Sequence, residues 1–410
     1  MALRILITNN TLAGRAGTEL YVRDVASELL ARGHQVVAYS TVLGEVAEEL
    51  HAATIPVIDR LDGVSVTPNV IHGHHHLETM TALLHYPEVP AIYFCHGWLP
   101  FEEMAPKFPR ILRYVAVDET CRDRLIYENG IPADRVRVLL NFVDLKRFKP
   151  RGPLPDKAKR ALVFSNGTNE HNNLPAIREA CARFGIAVDA VGQGIGNPTR
   201  QPENLLANYD LVFAKARAAL EALAVGASVI ACDTVGAGPM VTPHNMVALR
   251  QLNFGIRALR HRIDVEHIAG EIARYDAHQA AEVSAWVRNN AGMDAAVDQL
   301  VKLYEEVIEE HRQGGGTNAL EEMQAVAAYL RHWVPNLTRQ HQAAPQTYRE
   351  PDVLLTRNAR LNADLSTALV DLAELHGSSA MRLRNRLVSV PFSGRWVKSL
   401  ARFAAACFGK

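Results

Sequence analysis

The sequence has few cysteines and no excess of either charge. Its five cysteines, Cys95, Cys121, Cys181, Cys232 and Cys407, stand far apart among 410 residues. This distribution argues against a disulfide framework or a zinc cluster and favours a reducing compartment. Lysine plus arginine equals aspartate plus glutamate, at 44 each. Because the basic residues are not massed in the first 310 positions, we do not expect nucleic acid as a partner.

Long apolar runs are also missing. No stretch of about 18 consecutive apolar residues, the length a helix needs to cross a bilayer, occurs in the chain. The N-terminal segment MALRILITNN becomes polar at Thr8, which is typical of a first strand and not of a signal peptide. We therefore expect a cytoplasmic protein, soluble or peripheral at the inner face of the membrane. The length of the chain favours two domains.

The most informative stretch runs from Tyr209 to Cys232, YDLVFAKARAALEALAVGASVIAC. A short apolar run at 211–213 is followed by a helix-forming run that ends at Gly226, and a second apolar run covers 228–231. The pattern predicts a strand, a helix and a strand, with the strands parallel. The start of such a helix presents free N–H groups and its positive dipole end above the strand ends, so we expect an anion there.

Three charged residues accompany this helix start. Lys215 and Arg217 stand at its beginning, and Glu221 follows one turn later. A diphosphate on the N–H groups, with a carboxylate placed to accept bonds from ribose hydroxyls, is a nucleotide-binding arrangement. The spacing of Arg217 and Glu221 equally fits a surface ion pair worth about 0.3–0.5 kcal/mol. The pattern leaves both interpretations open.

The first 150 residues alternate strands with helices and predict one doubly wound parallel-sheet domain. Its first loop, NNTLAGRAGTEL, carries Gly14 and Gly17, which would let the backbone approach a phosphate. The alternative is a plain turn. The strands predicted for this domain lie at 3–7, 35–39, 54–58, 70–72, 91–95, 114–117 and 136–140.

Polar residues follow several of these strands, at the edge where ligands gather in parallel sheets. His96 comes directly after IYFC, and Asn141 follows the last strand of the domain. The HGHHH cluster at 72–76 contains no carboxylate or cysteine to complete a ligand set, so we do not expect a metal site.

A proline-rich linker, KPRGPLPDKAK at 149–159, separates this domain from a second one at 151–311. The second alternating pattern contains the polar loop SNGTNEHNN with Asn166, the segment GQGIG that begins at Gly192, and a predicted loop with Gly236 and Gly238. The predicted fold class is α/β, with two doubly wound, Rossmann-like domains that face a crevice. A helical run over 282–310 completes the second domain.

The composition changes after this run. A helical extension is predicted over 312–380, with helices at 318–333 and 352–375 whose leucine stripes favour homo-oligomerisation. The tail 381–410 is basic, with seven basic and no acidic residues up to its end, and is interleaved with large apolar side chains. Such a tail suits an anionic membrane surface. The alternative is that it packs on the body of the protein or on a partner.

Several motifs together resemble the GT-B glycosyltransferases, specifically glycosyltransferase family 4, over about residues 1 to 311. AGTELYVRDVASELLARGHQVVAYS is similar to the family's glycine loop, helix and strand, and IYFCHGW is similar to a His-bearing strand. VLLNFVDLKRFKP resembles N-G-V-D-x-x-x-F-x-P, and LEALAVGASVIACD resembles E-A-x-A-x-G-x-P-V-I.

The resemblance implies that Glu221 holds the ribose of a nucleotide, that Gly17 approaches the diphosphate, and that His96 touches the donor sugar. Two departures from the family pattern are present. Phe213 replaces a second glutamate, and the loop SNGTNEHNN, with Asn166 and Asn173, lacks the usual basic pair. We expect Lys215 and Arg217 to supply that charge from the other side of the crevice.

The sequence thus predicts a retaining glycosyltransferase that moves a sugar from a nucleotide diphosphate sugar to a glycan or lipid-linked acceptor, without a metal or another cofactor. The alternatives are a catalytically inactive scaffold or nucleotide-sugar-binding protein and, last, a nucleotide-sugar epimerase. The expected catalytic residues are His96, Lys215 and Arg217. The expected donor-binding residues are Gly14, Gly17, Asn141, Asn166, Gly192, Lys215, Arg217, Glu221 and Gly236.

Overall fold

A computed structural model describes residues 2–314 and 317–343 of the chain. The strands are β1 (Arg4–Thr8), β2 (Gln35–Tyr39), β3 (Val57–Ile58), β4 (Val70–His74), β5 (Ala91–Cys95), β6 (Ile111–Ala116), β7 (Val136–Val138), β8 (Arg160–Phe164), β9 (Ala187–Val191), β10 (Leu211–Ala214), β11 (Ser228–Asp233) and β12 (Gly236–Met240). The helices are α1 (Gly17–Ala31), α2 (Glu45–Ala52), α3 (His76–His85), α4 (Glu119–Asp123), α5 (Leu174–Arg183), α6 (Pro202–Leu206), α7 (Ala216–Val225), α8 (Met246–Gln251), α9 (Val265–Ile272), α10 (Ala277–Asn290), α11 (Met293–Gln313) and α12 (Ala319–Ala343).

The strands form two sheets, as the alternating sequence pattern predicts. Strands β1 to β7 make a seven-stranded parallel sheet in the order β3-β2-β1-β4-β5-β6-β7. Strands β8 to β12 make a five-stranded sheet in the order β12-β11-β10-β8-β9. The order reverses direction within each sheet, so both have the doubly wound arrangement whose strand ends form ligand-binding crevices.

The second sheet differs from the prediction at one edge. Gly236 and Gly238 were expected in a loop, but they lie in β12, which pairs antiparallel with β11. The residues of this strand, GAGPM, include two glycines and a proline, which are depleted in strands and hide it from a propensity argument. An antiparallel edge strand on a parallel sheet is a common addition to this fold.

The predicted strand, helix and strand unit around α7 is confirmed. Strands β10 and β11 pair in parallel from Leu211 opposite Ser228 to Ala214 opposite Ala231. Helix α7 between them ends at Gly226, whose φ of 102° lies in the left-handed region that favours glycine. The apolar side of the helix is buried, so packing reinforces the intrinsic preference of its alanines and leucines for helix.

The helical run predicted over 282–310 consists of two helices with different partners. Helix α10 ends at Asn290 and α11 begins at Met293. At the break, the N–H of Val143 donates to the carbonyl of Ala291, and the N–H of Met293 donates to the carbonyl of Val143. The two passages of the chain between the sheets are therefore hydrogen-bonded to each other.

Helix α11 returns to the first sheet and completes its core. Its buried residues, Met293, Ala296, Val297, Leu300, Leu303, Tyr304 and Val307, belong to the same apolar cluster as β1, β4 and β5. The first core thus depends on a segment about 150 residues further along the chain.

Helix α12 begins where a helix was predicted, at 319 instead of 318, and continues to Ala343. Ala325, Val326 and Tyr329 pack against the first core. Leu320 and Met323 belong to the predicted leucine stripe and are 63% and 69% exposed. The stripe is therefore not used for packing within the described residues. The predicted helix at 352–375 and the basic tail at 381–410 lie outside them.

Candidate functional site

A cleft of about 650 Å³ is lined by residues that follow β1, β8, β9, β10 and β11. It brings together seven of the residues expected to bind a donor: Gly14, Gly17, Asn166, Gly192, Lys215, Arg217 and Glu221. We call it the central cleft. His96, Asn141 and Gly236 do not line it.

Two helices begin at the central cleft, one from each sheet. Helix α1 starts at Gly17 after Ala16, and α7 starts at Ala216 after Lys215. Neither preceding residue accepts a capping hydrogen bond with its side chain. The first N–H groups of both helices therefore remain available to a ligand, and both positive dipole ends favour an anion.

The loop after β9 closes one side of the central cleft and requires glycine. Gly192 has a φ of 154°, and a Cβ atom there would lie 2.0 Å from the carbonyl oxygen of Ser165. Asn166 holds this loop in place, because its backbone carbonyl accepts a hydrogen bond of 2.8 Å from the N–H of Gly194. Gly192 and Asn166 thus shape the wall of the cleft, and their backbones pack directly on each other.

Lys215 reaches across to the end of β11. Its ammonium group pairs with the carboxylate of Asp233, which also accepts a hydrogen bond of 2.7 Å from the hydroxyl of Ser165. Burial raises the pKa of Asp233, but the bonds from Lys215 and Ser165 outweigh it, and the pKa lies below its usual value. Lys215 remains 45% exposed, so it can also contact a ligand in the cleft.

Arg217 and Glu221 form an ion pair, as their spacing allowed, but a buried one. The Nε of Arg217 donates to Oε1 of Glu221 at 2.7 Å, and Nη2 donates to the carboxylate of Asp24 in α1. The Glu221 side chain is 6% exposed. Burial raises the pKa of Glu221 above its ordinary value, although the charge of Arg217 opposes this. The interpretation as a surface ion pair is therefore wrong.

The structure adds three cations that the sequence argument missed: Arg15, Arg147 and Arg200. Arg15 lies in the glycine loop and pairs with Glu45 and Glu49 of α2. Arg147 pairs with Glu203 at 2.7 Å, and Arg200 pairs with Glu45 at 3.0 Å. Arg15 lies between two glycines in the sequence GRAG, a signal that could have identified it.

Charge in the lining of the central cleft favours an anionic ligand. Its cations are Arg15, Arg147, Arg200, Lys215 and Arg217, and its carboxylates are Glu45, Glu221 and Asp233. Five cations therefore face the cleft against three carboxylates, while Glu49, Glu203 and Asp24, the partners of Arg15, Arg147 and Arg217, do not line it. Cationic side chains that line a cleft attract an anionic ligand.

His96 belongs to a row of histidines at the end of the first sheet. Its Nε2 shares a hydrogen bond of 2.8 Å with Nδ1 of His74, and the two rings stack with centroids 4.7 Å apart. His74 stacks in turn on His72, whose Nδ1 shares a hydrogen bond with the hydroxyl of Tyr304. Burial and the charge of His75 lower the pKa of His96 to about 3, so its ring is neutral near neutral pH.

A buried carboxylate that the sequence argument missed stands beside this row. Glu103 accepts the backbone N–H of His96 at 2.7 Å and lies 3.9 Å from Nε2 of His75. Burial raises its pKa to about 7, although the bond from His96 and the charge of Arg124 oppose the rise. The sequence gives no sign of this role, because Glu103 stands next to the exposed Glu102 in a short irregular segment.

Two expected donor-binding residues lie elsewhere. The carbonyl of Asn141 accepts a hydrogen bond of 2.9 Å from Arg250. Gly236 begins β12, where a Cβ atom would lie 2.8 Å from the carbonyl oxygen of Leu259. The structure gives both a role in packing and does not bring them to the central cleft. Phe213, at the position of the missing family glutamate, is fully buried in the core of the second sheet.

Within the described residues 2–314 and 317–343, no three or more His, Cys, Asp or Glu side chains are grouped so that they could hold a metal ion. None of the helices in the same residues has the length and apolarity to span a bilayer.

Comparison with known proteins finds one family model that matches part of the chain, and solved structures with a similar fold. Residues 15–147 match the model of Glycosyltransferase Family 4. A glycosyltransferase from Rickettsia africae is 15% identical, with a TM-score of 0.52, over 75% of this chain and 99% of its own. HepE from Anabaena, solved with UDP and glucose, is 15% identical, with a TM-score of 0.54, over 74% of this chain and 100% of its own. Among curated proteins nothing matches.

Proposed function

We propose that the chain, whose residues 15–147 match Glycosyltransferase Family 4 and whose fold is similar to that of solved glycosyltransferases, is a glycosyltransferase. In this proposal it uses a nucleotide diphosphate sugar and retains the anomeric configuration. The observation that carries the proposal is the central cleft, where two uncapped helix starts and five cationic side chains face one space. A diphosphate suits such a site, because phosphate groups bind readily at helix N-termini.

In this proposal the N–H groups at the start of α7, with Lys215, bind the diphosphate. Arg15, Arg147 and Arg200 border the same space and neutralise charge that develops on the leaving diphosphate. Glu221 accepts hydrogen bonds from the ribose hydroxyls with the oxygen that Arg217 does not occupy. The cations carry the charge that a metal would otherwise balance, so the reaction as proposed needs neither a metal nor another cofactor.

His96 is proposed to touch the donor sugar from the first domain. The ring is partly exposed and neutral, which suits a hydrogen bond to a sugar hydroxyl. The resemblance to family 4 implies attack from the face of the leaving group, without a protein nucleophile. Exclusion of water by the two walls of the cleft would protect a cation-like sugar from hydrolysis.

The acceptor is proposed to be a glycan or a lipid-linked saccharide of a cell-surface polysaccharide pathway. The basic tail at 381–410, with its apolar and aromatic residues, suits attachment to an anionic membrane at the cytoplasmic side. The exposed stripe of Leu320 and Met323 supports pairing with a second copy. Sedimentation of the purified protein, alone and with anionic vesicles, tests both associations.

Turnover tests the catalytic proposal. The protein is incubated with uridine, guanosine, adenosine and cytidine diphosphate sugars and a membrane extract as a source of acceptors, and released nucleoside diphosphate is measured. One donor should be consumed, and Lys215→Ala with Arg217→Ala should abolish its consumption. HepE, whose structure holds UDP and glucose, makes uridine the first base to try.

One observation favours a second function, that of an inactive nucleotide-sugar-binding scaffold. Phe213 occupies the position of a family glutamate and points its ring into the core, so no side chain there can reach a ligand. The same assay separates the two functions. A scaffold would bind a nucleotide and release no product with any donor or acceptor.

A further inference from the structure

Arg217 lies between two carboxylates, one from a helix of each domain. Its Nε donates to Oε1 of Glu221 in α7, and its Nη2 donates to Oδ2 of Asp24 in α1. Glu221 lines the central cleft, whereas Asp24 does not. Asp24 therefore contacts Arg217 from behind and has no access to a ligand in the cleft.

The three side chains are buried together. Those of Asp24, Arg217 and Glu221 are 9%, 16% and 6% exposed. A buried guanidinium with one carboxylate missing would be left with unsatisfied donors, which is costly in a low-dielectric environment. Asp24 thus holds the guanidinium in the orientation in which its Nε also donates a hydrogen bond to Glu221.

Asp24 is itself held in place. Its Oδ1 accepts Nη2 and Nε of Arg23 at 2.6 and 2.8 Å, and Arg23 donates to Glu49 of α2 at 3.0 Å. Burial raises the pKa of Asp24, but the charges of Arg217 and Arg23 outweigh it and lower the pKa. Asp24 is therefore a fixed, ionised anchor for Arg217.

This pairing is part of a longer series of side chains with alternating positive and negative charges, which passes from the second domain to the first and back. The series is Arg200, Glu45, Arg15, Glu49, Arg23, Asp24, Arg217 and Glu221. Both of its ends belong to the second domain and its middle to the first. The position of the Glu221 carboxylate is thus set by residues of the opposite domain.

We propose that Asp24 is a positioning residue for the ribose of the donor and acts through Arg217 on Glu221. With Oε1 of Glu221 occupied by Arg217, Oε2 accepts no hydrogen bond from the residues that the structure describes. That oxygen is then left to the ribose hydroxyls, in an orientation that Asp24 maintains. The inference rests on the proposed function, because it presumes a nucleotide in the central cleft.

The test compares a nucleotide with its counterpart lacking the ribose hydroxyls. Calorimetric titration measures the affinity of uridine, guanosine, adenosine and cytidine diphosphates, and the tightest of them is compared with its 2′,3′-dideoxy form. Asp24→Asn should weaken the nucleotide about tenfold, as expected when a hydrogen bond to a charged group is lost, and should change the dideoxy form by no more than about twofold. The Asp24→Asn change should add nothing in a Glu221→Gln background.

Glu28→Gln is the matched control, because it breaks a partly buried ion pair of α1 with Arg32 that does not reach α7. It should leave both affinities unchanged. Equal losses for the two ligands in Asp24→Asn would show a merely structural effect and overturn the inference, as would no loss for either. If Asp24→Asn does not fold, Asp24→Glu keeps the negative charge beside Arg217 but moves it by one methylene, and a smaller loss that is again confined to the ribose-bearing nucleotide is expected.

Failure of the proposed function has a different signature. In that case the wild-type protein binds none of the four nucleotides, and the inference falls with it. A wild-type protein that binds one nucleotide, with no selective loss in Asp24→Asn, rejects the role of Asp24 alone.

Discussion

His96 is held by another histidine and not by the acidic residue that often orients a functional imidazole. Its Nε2 bonds to Nδ1 of His74, which is completely buried. Since that bond occupies Nε2, the second nitrogen, Nδ1, is left for a ligand. The orientation of the ring in the crevice therefore depends on a side chain that has no access to the ligand itself.

Replacing His74 should for this reason impair transfer without affecting nucleotide binding. His74→Ala removes one hydrogen bond from His96, and we expect transfer to slow by about fivefold to tenfold. Affinity for the nucleoside diphosphate should stay within about twofold, because His74 does not line the central cleft. Steady-state rates and calorimetric titration measure the two quantities. His51→Ala, exposed on α2, is the control, and a parallel loss of nucleotide affinity would contradict the prediction.

Glu103 makes stability depend on pH. Its pKa in the folded protein, about 7, is above the ordinary value of 4.5, so folding favours the protonated form. The stabilisation is complete below pH 4.5 and is lost as the pH rises through 7. Glu103→Gln is neutral at every pH. As the pH rises from 4.5 to 7, the free energy of unfolding of this variant should therefore increase by about 3 kcal/mol relative to that of the wild type.

Urea denaturation at several pH values tests this. The neighbouring Glu102→Gln serves as control, since Glu102 is exposed and should give the same curve as the wild type. A difference between Glu103→Gln and wild type that does not change with pH would mean that folding does not shift the pKa of Glu103, and it would contradict the prediction.

At the scale of elements, the loop after β9 positions the wall of the central cleft against β8. Gly192→Ala should destabilise the protein by about 2–4 kcal/mol, because the new methyl group collides with the Ser165 carbonyl and φ is unfavourable. Gly196→Ala in the same loop is the matched control, since its φ of 70° is also positive but nothing lies within 4 Å of the new methyl group. Denaturant unfolding should find Gly192→Ala clearly the less stable, and equal stabilities would refute the steric argument.

The sequence predicts elements well where local pattern and tertiary packing agree. The unit around α7 has an apolar strand, a helix of alanine and leucine and a closing glycine, and it forms as expected. Strand β12 could not be predicted, because pairing with β11 and not its own composition makes it a strand. The break between α10 and α11 had a signal, Asn290 and Gly292, that the continuous apolar pattern obscured.

Within the site, glycines and helix starts could be predicted, but ion-pair partners could not. Arg217 and Glu221 are neighbours along one helix, so their spacing predicts an ion pair. Asp24 lies 193 positions from Arg217, and the contact arises only when two domains meet. For the same reason the sequence does not indicate that Arg200 lies beside Glu45.

At the scale of the whole molecule, two of the connections between the domains differ in kind. One is the hydrogen-bonded pair of chain passages at Val143 and Gly292, and the other is the alternating series of charges across the cleft. The first is made of backbone hydrogen bonds. The second is made of side chains and includes Arg15 and Arg200, two of the cations proposed to meet a diphosphate.

The central claim is that the cleft binds the diphosphate nucleotide of a sugar donor, and thermal stability measures it most directly. The purified protein and Glu221→Ala are heated with uridine, guanosine, adenosine and cytidine diphosphates and their sugars. A ligand at 100 times its dissociation constant stabilises the folded state by about 2.7 kcal/mol, a clear shift in melting temperature. The account predicts a shift with one base that Glu221→Ala loses. No shift with any nucleotide, or an equal shift in the variant, would contradict it.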